Sequence, residues 1–204
     1  MKKLILICSI IAVTLSVFLF IHFNKEGSYG ESIDFLKNLD SYRCNVEIQI
    51  KNDKQNIKFK GKQFYNKDLG YRFEINKDRI LLYKKNKIFV KDLVNGVKYN
   101  TDREFDKLYK LTFIGEYINL LYTNEEIKVD IRTVNDINYE VISLIIPGNN
   151  RNYEKADLFV NKKDNIPTKL VIYDKKNRIR VTVNYKNFVP NSDDGSSIFE
   201  PSKF

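Results

Sequence analysis

The sequence predicts an α+β fold: a strongly curved antiparallel sheet of roughly ten strands wrapped around helices, behind an amino-terminal transmembrane helix. Three observations carry this reading. From Tyr42 onward, apolar and polar residues alternate with period two through one segment after another. Short runs of Asn, Asp, Lys and Gly separate these segments and are turn material. The alternation breaks once, in the stretch "REFDKLYKLTFIGEYINLLYTNEE", where apolar residues are spaced for a helix.

The first element is "LILICSIIAVTLSVFLFIHF", residues 4–23, without a Lys, Arg, Asp or Glu. As a helix it spans about 30 Å, the thickness of a bilayer's hydrocarbon core. A secretory signal's apolar region is usually shorter and ends in small residues, whereas this one exits through Phe20, Ile21, His22 and Phe23. Lipid attachment at Cys8 is not expected, because the bulky Ile7 stands where a lipoprotein signal needs a small residue. Lys2 and Lys3 hold the amino end in the cytoplasm. The expected organisation is an uncleaved signal anchor at 1–23, a tether at 24–30 and one domain at 31–204. That makes a single-pass protein of the cell membrane, its domain on the extracytoplasmic side.

Ile33, Leu36 and Leu39 then mark a short amphipathic helix, with Ser32 placed to cap it. In the first strand Tyr42, Cys44, Val46, Ile48 and Ile50 share one face, which makes Cys44 a small inward hydrophobe rather than a reactive thiol. "NIKFKGKQFY", "YRFEI", "RILLYKK", "KIFVKDL" and "GVKYN" continue as a meander, and Asn95-Gly96 is its clearest hairpin signal. One or two helical turns follow, then a helix over residues 113–122, apolar over much of its surface, which needs the concave side of the sheet to lie in. Strands resume with "IKVDIRTVND", "YEVISLIIPG", "KADLFVNKKD", "PTKLVIYDKK" and "RIRVTVNYKNF". In the last, Ile179, Val181, Val183 and Tyr185 should face inward, and Arg178, Arg180 and Thr182 outward. The tail is a polar loop returning to Phe199 and Pro201.

The net charge of +9 is unevenly placed. Residues 51–110 hold 17 basic and 8 acidic side chains, while 1–50 and 111–204 are each balanced. Such a field attracts anionic partners. Outside the cytoplasm these are anionic lipid, wall polymer or an acidic protein, not nucleic acid. Lys58, Lys60, Lys62, Lys84, Lys85 and Lys87 are the candidate patch, although lysines also keep strand edges soluble. The inward apolar residues Tyr42, Val46, Ile48, Phe59, Phe73, Phe113, Tyr117, Val181 and Val183 could line a hydrophobic concavity, or simply make a core.

The chemistry missing from the chain excludes most enzymes. The single histidine, His22, lies at the membrane boundary, so the domain has no imidazole for a triad, a Cys–His pair or a zinc site. There is no nucleophile elbow, P-loop or dinucleotide fingerprint. The carboxylate pairs Glu125-Glu126 and Asp193-Asp194 fall in turns. No disulfide framework exists, since Cys8 lies in the anchor and leaves Cys44 alone. Neither a cofactor nor a metal is expected.

"IPTKLVIYDKKNRIRVTVNYKNFVPN" and the closing "IFEPSKF" resemble the end of the LolA/LolB lipoprotein-carrier superfamily, in which a post-proline strand leads to a final strand and a short F-x-P segment. "LGYRFEINKDRILLYKKNKIFVKDLVNG" is similar to the same superfamily's central run, with Asn86 where a glycine is common. Within it the chain looks closest to the clostridial spore germination lipoproteins of GerS type. The resemblance spans residues 31–204 and implies an incomplete β-barrel whose concavity is covered by helices. It also implies a non-enzymatic role in spore-cortex processing, on the intermembrane or cortex side, beside a cell-wall N-acetylmuramoyl-L-alanine amidase. One departure is the absent lipidation motif, for which a transmembrane anchor would substitute. Three functions fit, in this order: a tethered module supporting a cell-wall hydrolase, a carrier or sensor of acyl chains, and a binder of wall polymer or lipid head groups. A homodimer by exchange of edge strands is compatible with such a sheet, but nothing in the chain requires it.

Overall fold

A computed structural model of the chain describes residues 30–106, 108–123, 127–148 and 150–203. The expected anchor, Cys8 and Glu125-Glu126 lie outside them. Among the described residues no helix is long and apolar enough to cross a membrane.

Eleven strands form one open, curved antiparallel sheet among the described residues. The first meander comprises β1 (Ser41–Lys51), β2 (Asn56–Asn66), β3 (Gly70–Ile75), β4 (Arg79–Lys84), β5 (Lys87–Asp92) and β6 (Lys98–Asp102). The second comprises β7 (Lys128–Val134), β8 (Ile137–Ile145), β9 (Lys155–Asn161), β10 (Ile166–Tyr173) and β11 (Ile179–Pro190). The spatial order is β6-β5-β4-β3-β2-β1-β11-β10-β9-β8-β7. The first and last strands therefore pair at the centre, and β6 and β7 are the two free edges. Between those edges the chain runs through 3-10 turns at Arg103–Phe105 and Lys110–Thr112 into a helix, Ile114–Thr123. A shorter helix, α1 (Glu31–Lys37), precedes β1, so the longer one is α2.

The period-two faces appear as read for β1, where Tyr42, Cys44, Val46 and Ile48 are buried. Together with Phe73, Leu158, Leu170, Val181 and Val183 they form one core cluster that also takes in Leu36 and Leu39, and Ile114, Tyr117 and Leu121 of α2. A second, smaller cluster lies on the opposite face, where Phe199 of the tail covers Phe64 and Leu82. Burial pushes the Cys44 thiol far above its ordinary range, which leaves it unreactive.

Two local expectations are corrected. Ser32 does not cap α1 with its own side chain. It lies inside the helix, its N–H donates to Glu140 Oε2 of β8 at 3.1 Å, and its hydroxyl donates to Asn165 Oδ1 at 3.1 Å. The alternation of β11 also fails at its start, where Ile179 is exposed and Arg180 is 7% exposed. The pairing with β10 shifts between Ile172 and Tyr173, so that Ile172 opposes Val181 but Tyr173 opposes Ile179. Arg180 is the additional residue of a β-bulge, which reverses the faces on either side of it.

The bulge directs Arg180 into an ion network. Its Nε donates to Asp174 Oδ2 at 2.8 Å and its Nη1 to Asp53 Oδ1 at 2.9 Å, and Arg178 contacts the same two carboxylates at 2.8 and 3.2 Å. The network ties the β1–β2 turn to the β10–β11 turn. Burial opposes ionisation of Asp174, but hydrogen bonds from the Arg178 backbone and both guanidinium groups overcome it and hold its carboxyl well below the usual range. The Arg180 hydrogen bond, then the charge of Arg178, lower that of Asp53. Carboxyls depressed in the folded state stabilise it above their unfolded value of about 4, and that contribution is lost as pH falls through the folded values. Wild-type thermal stability should therefore drop steeply below about pH 4. D174N should be less stable at neutral pH, and its deficit should shrink as the pH falls, which melts across the acid range will read.

Candidate functional site

The concave side of the sheet is closed by α2 and the turns before it. Phe113 is fully buried at the amino end of α2. Its ring centroid lies 4.9 Å from that of Tyr71, 5.8 Å from Phe73 and 5.7 Å from Tyr83, in the tilted and edge-on geometries aromatic pairs prefer. Gly115 brings the helix backbone onto this aromatic floor, since a Cβ there would sit 2.6 Å from Tyr65 Cε2 and 2.9 Å from Tyr71 Cε1.

Several buried hydrogen bonds fasten the helix and the turn before it. The Ile114 N–H donates to the Tyr42 hydroxyl at 3.0 Å, which satisfies a helix-terminal donor. The Thr112 carbonyl accepts from the Tyr185 hydroxyl at 2.8 Å, and Gln63 Nε2 donates to Thr112 Oγ1 at 2.8 Å. The Tyr117 hydroxyl donates to the Leu111 carbonyl at 2.8 Å. Burial pushes the hydroxyls of Tyr42, Tyr117 and Tyr185 well above their ordinary range, so all three remain neutral hydrogen-bonding groups.

Of the residues expected on the concave side, Tyr42, Val46, Ile48, Phe73, Phe113, Tyr117, Val181 and Val183 lie in the main core cluster, and Phe59 packs against it half-buried. A cleft of about 1260 Å³ lies open at the seam beside β6. It is lined by Lys85, Arg103, Asp106 and Lys110 on one side, and by Ile146, Pro147 and Tyr153 on the other. Several of its charged groups are engaged: Arg103 and Lys110 pair with Glu116, each at 2.9 Å, and the Tyr83 hydroxyl bonds Asp106. Of these, only Lys85 was singled out from sequence. The others stand among apolar residues in "REFDKLYKLTFIGEY", a mixture that a crossing segment with one wet side would show.

The candidate lysines fall into two groups. Lys58, Lys60 and Lys62 project from the solvent face of β2, and Lys60 and Lys62 line a groove of about 570 Å³ with Lys77, Lys186, Glu47 and Glu74. Glu47 binds Lys60 at 3.3 Å and Lys186 at 3.0 Å. Lys84, Lys85 and Lys87 lie at the β4–β5 turn instead. There Lys84 donates to the Leu69 carbonyl at 2.6 Å and Lys87 pairs with Asp102 at 2.8 Å. Asp193 and Asp194 serve their turn, Asp194 by pairing with Arg43 at 2.9 Å. Among the described residues no group of three or more His, Cys, Asp or Glu side chains could hold a metal ion.

A family profile described as "Sporulation protein YdcC-like" matches residues 2–199. No curated protein matches the chain. Solved structures similar to it include an uncharacterized conserved protein from Thermus thermophilus, 8% identical over 81% of this chain and 90% of that one, with a TM-score of 0.51. The LolA superfamily protein NE2245 from Nitrosomonas europaea is 13% identical, covering 85% and 98%, with a TM-score of 0.43. The GerS lipoprotein of Clostridioides difficile, in a structure with the CwlD amidase, is 24% identical, covering 79% and 92%, with a TM-score of 0.44. The chain thus resembles LolA-like proteins and those of GerS type.

Proposed function

The chain belongs to the sporulation protein YdcC-like family, and from that premise we propose that it is a membrane-anchored, extracytoplasmic binding module without enzymatic activity, which supports a cell-wall amidase during spore-cortex processing. The observation that carries this reading is the seating of α2: Phe113, Ile114, Tyr117 and Leu121 lie in the core cluster on the concave face, which supports a packed interior over an acyl-chain site there. The absence of imidazole from the domain supports a binding role over catalysis. The uncharged residues 4–23 support the anchor, with residues 24–30 as tether and 31–204 as the working domain. The amidase is the partner implied by the sequence resemblance to GerS-type lipoproteins. An acyl-chain carrier or sensor is the second reading. The seam cleft of about 1260 Å³, with Leu111 and Ile146 in its wall, is what favours it.

The test is affinity purification of the tagged full-length chain from sporulating cells in mild detergent, with mass spectrometry of co-purifying proteins and lipids. A stoichiometric amidase is the expected result. Retained acyl lipid or lipoproteins without a hydrolase would overturn the reading in favour of the carrier.

A further inference from the structure

The β5–β6 hairpin departs from what folding alone asks of a turn. Its tip exposes Leu93 at 42%, Val94 at 73% and Val97 at 50%, and Tyr99 just behind them at 49%. These are four of the eleven large apolar side chains exposed among the described residues, gathered within seven positions. Exposed apolar residues are ordinary when scattered, whereas a contiguous group marks a contact surface. The turn does not need them. Asp92 Oδ1 accepts the N–H groups of Val94 and Asn95, and Gly96 takes the positive φ of +68°, so the loop's geometry is set by Asp, Asn and Gly.

Directly behind the tip, Lys91 of β5 and Lys98 of β6 stand opposite each other across the ladder. Like charges so placed destabilise a strand pair. The same arrangement at the other end of the sheet, Lys84 opposite Lys87, is relieved: Lys84 bonds a carbonyl and Lys87 pairs with Asp102. Lys91 and Lys98 have no carboxylate within ion-pair distance among the described residues. The Leu93 N–H donates to the Asp78 carbonyl, which brings the β3–β4 turn and its exposed Lys77 beside the tip. Arg79 at this end is only loosely held by Asp92, at 3.8 Å.

We propose that this hairpin tip is a docking surface for an anionic lipid bilayer, with Leu93, Val94 and Val97 entering the headgroup–acyl boundary and Lys91 and Lys98 meeting lipid phosphates. The charge chooses the occupant. A second copy would set these lysines against each other's positive field, whereas an anionic leaflet attracts both. Tyr99 has the amphipathic character that suits a membrane interface. None of these residues lines the seam cleft, and the purification described above neither tests nor requires the proposal.

The chain contains no Trp, so Val94→Trp supplies a single indole at the tip. The full-length variant, returned from detergent into vesicles, is compared in phosphatidylcholine alone and in phosphatidylcholine with phosphatidylglycerol. In the anionic vesicles, indole emission should shift to the blue, lose accessibility to iodide and be quenched by brominated lipid. In neutral vesicles it should stay exposed. Adding Lys91→Glu and Lys98→Glu should abolish the shift, and Ile137→Trp at the β7–β8 turn should report water in both vesicle types. Melting curves confirm that each variant is folded. An indole equally exposed in both vesicle types overturns the proposal. So does protection that rises with protein concentration without lipid quenching, which would mean a second copy. A blue shift that survives the double charge reversal overturns it as well, because the bilayer's charge would then have no part.

Discussion

Replacing Phe113 with alanine is expected to lower the unfolding free energy by about 3–5 kcal/mol, the cost typical of deleting a fully buried aromatic ring. The ring is fully buried, and its three aromatic neighbours belong to β3 and β4. Those strands are held in the ladder and cannot collapse into the space. The cavity would therefore persist, and the edge-on pairs with Phe73 and Tyr83 would be lost with it, each worth about 0.5–1.5 kcal/mol beyond area. Urea titration of the full-length chain in detergent reads the effect as a lower midpoint at unchanged slope. A loss below about 1 kcal/mol would mean that α2 is not seated as described.

Gly115 makes the second large prediction, and here helix propensity and packing disagree in sign. Propensity alone says that alanine stabilises a helix relative to glycine, by up to about 1 kcal/mol. The structure says the opposite, because the new Cβ would come within 2.6 Å of Tyr65 and 2.9 Å of Tyr71. Neither ring has room to give. Tyr65 lies 5.3 Å from Tyr42 and 5.2 Å from Tyr71, and Tyr71 lies 4.9 Å from Phe113. G115A should therefore be destabilising, and G115L more so, by about 3 kcal/mol, at the upper end of what overpacking a core costs. Both are read from the same urea titrations. A G115A protein more stable than wild type would show that the helix stands off the sheet.

Most of the strands were legible in the sequence because a half-buried strand shows its two faces as alternation, a local property. The inward set from Tyr42 to Ile48 could be read without any partner strand. The exceptions are places where a distant partner decides. Arg180 is buried because β10 and β11 slip by one residue beside Asp174, and nothing within "RIRVTVNY" signals a slip. Ser32 looked like a cap, but Glu140, 108 residues away, bonds its N–H. The candidate lysines illustrate the same limit. Lys62 and Lys84 share a charge excess along the chain, yet the meander places them two strands apart and at different heights. The seam cleft was not legible at all, since Arg103 and Lys110 meet Glu116 only when the segment crosses from β6 to β7.

The central claim is that α2 is a permanent part of the core and fills the concave face of the sheet. Hydrogen exchange of the full-length protein in detergent, with and without a synthetic acylated lipopeptide, tests it most directly. Amides in a well-packed element open only with free energies near the global value. The account predicts that the amides of Tyr117, Ile118 and Leu121 exchange as slowly as those of Val46 and Ile48 in β1, and that the lipopeptide changes neither. Fast exchange across α2 that slows when lipopeptide is added would contradict it, and would make the helix a lid over an acyl-chain site.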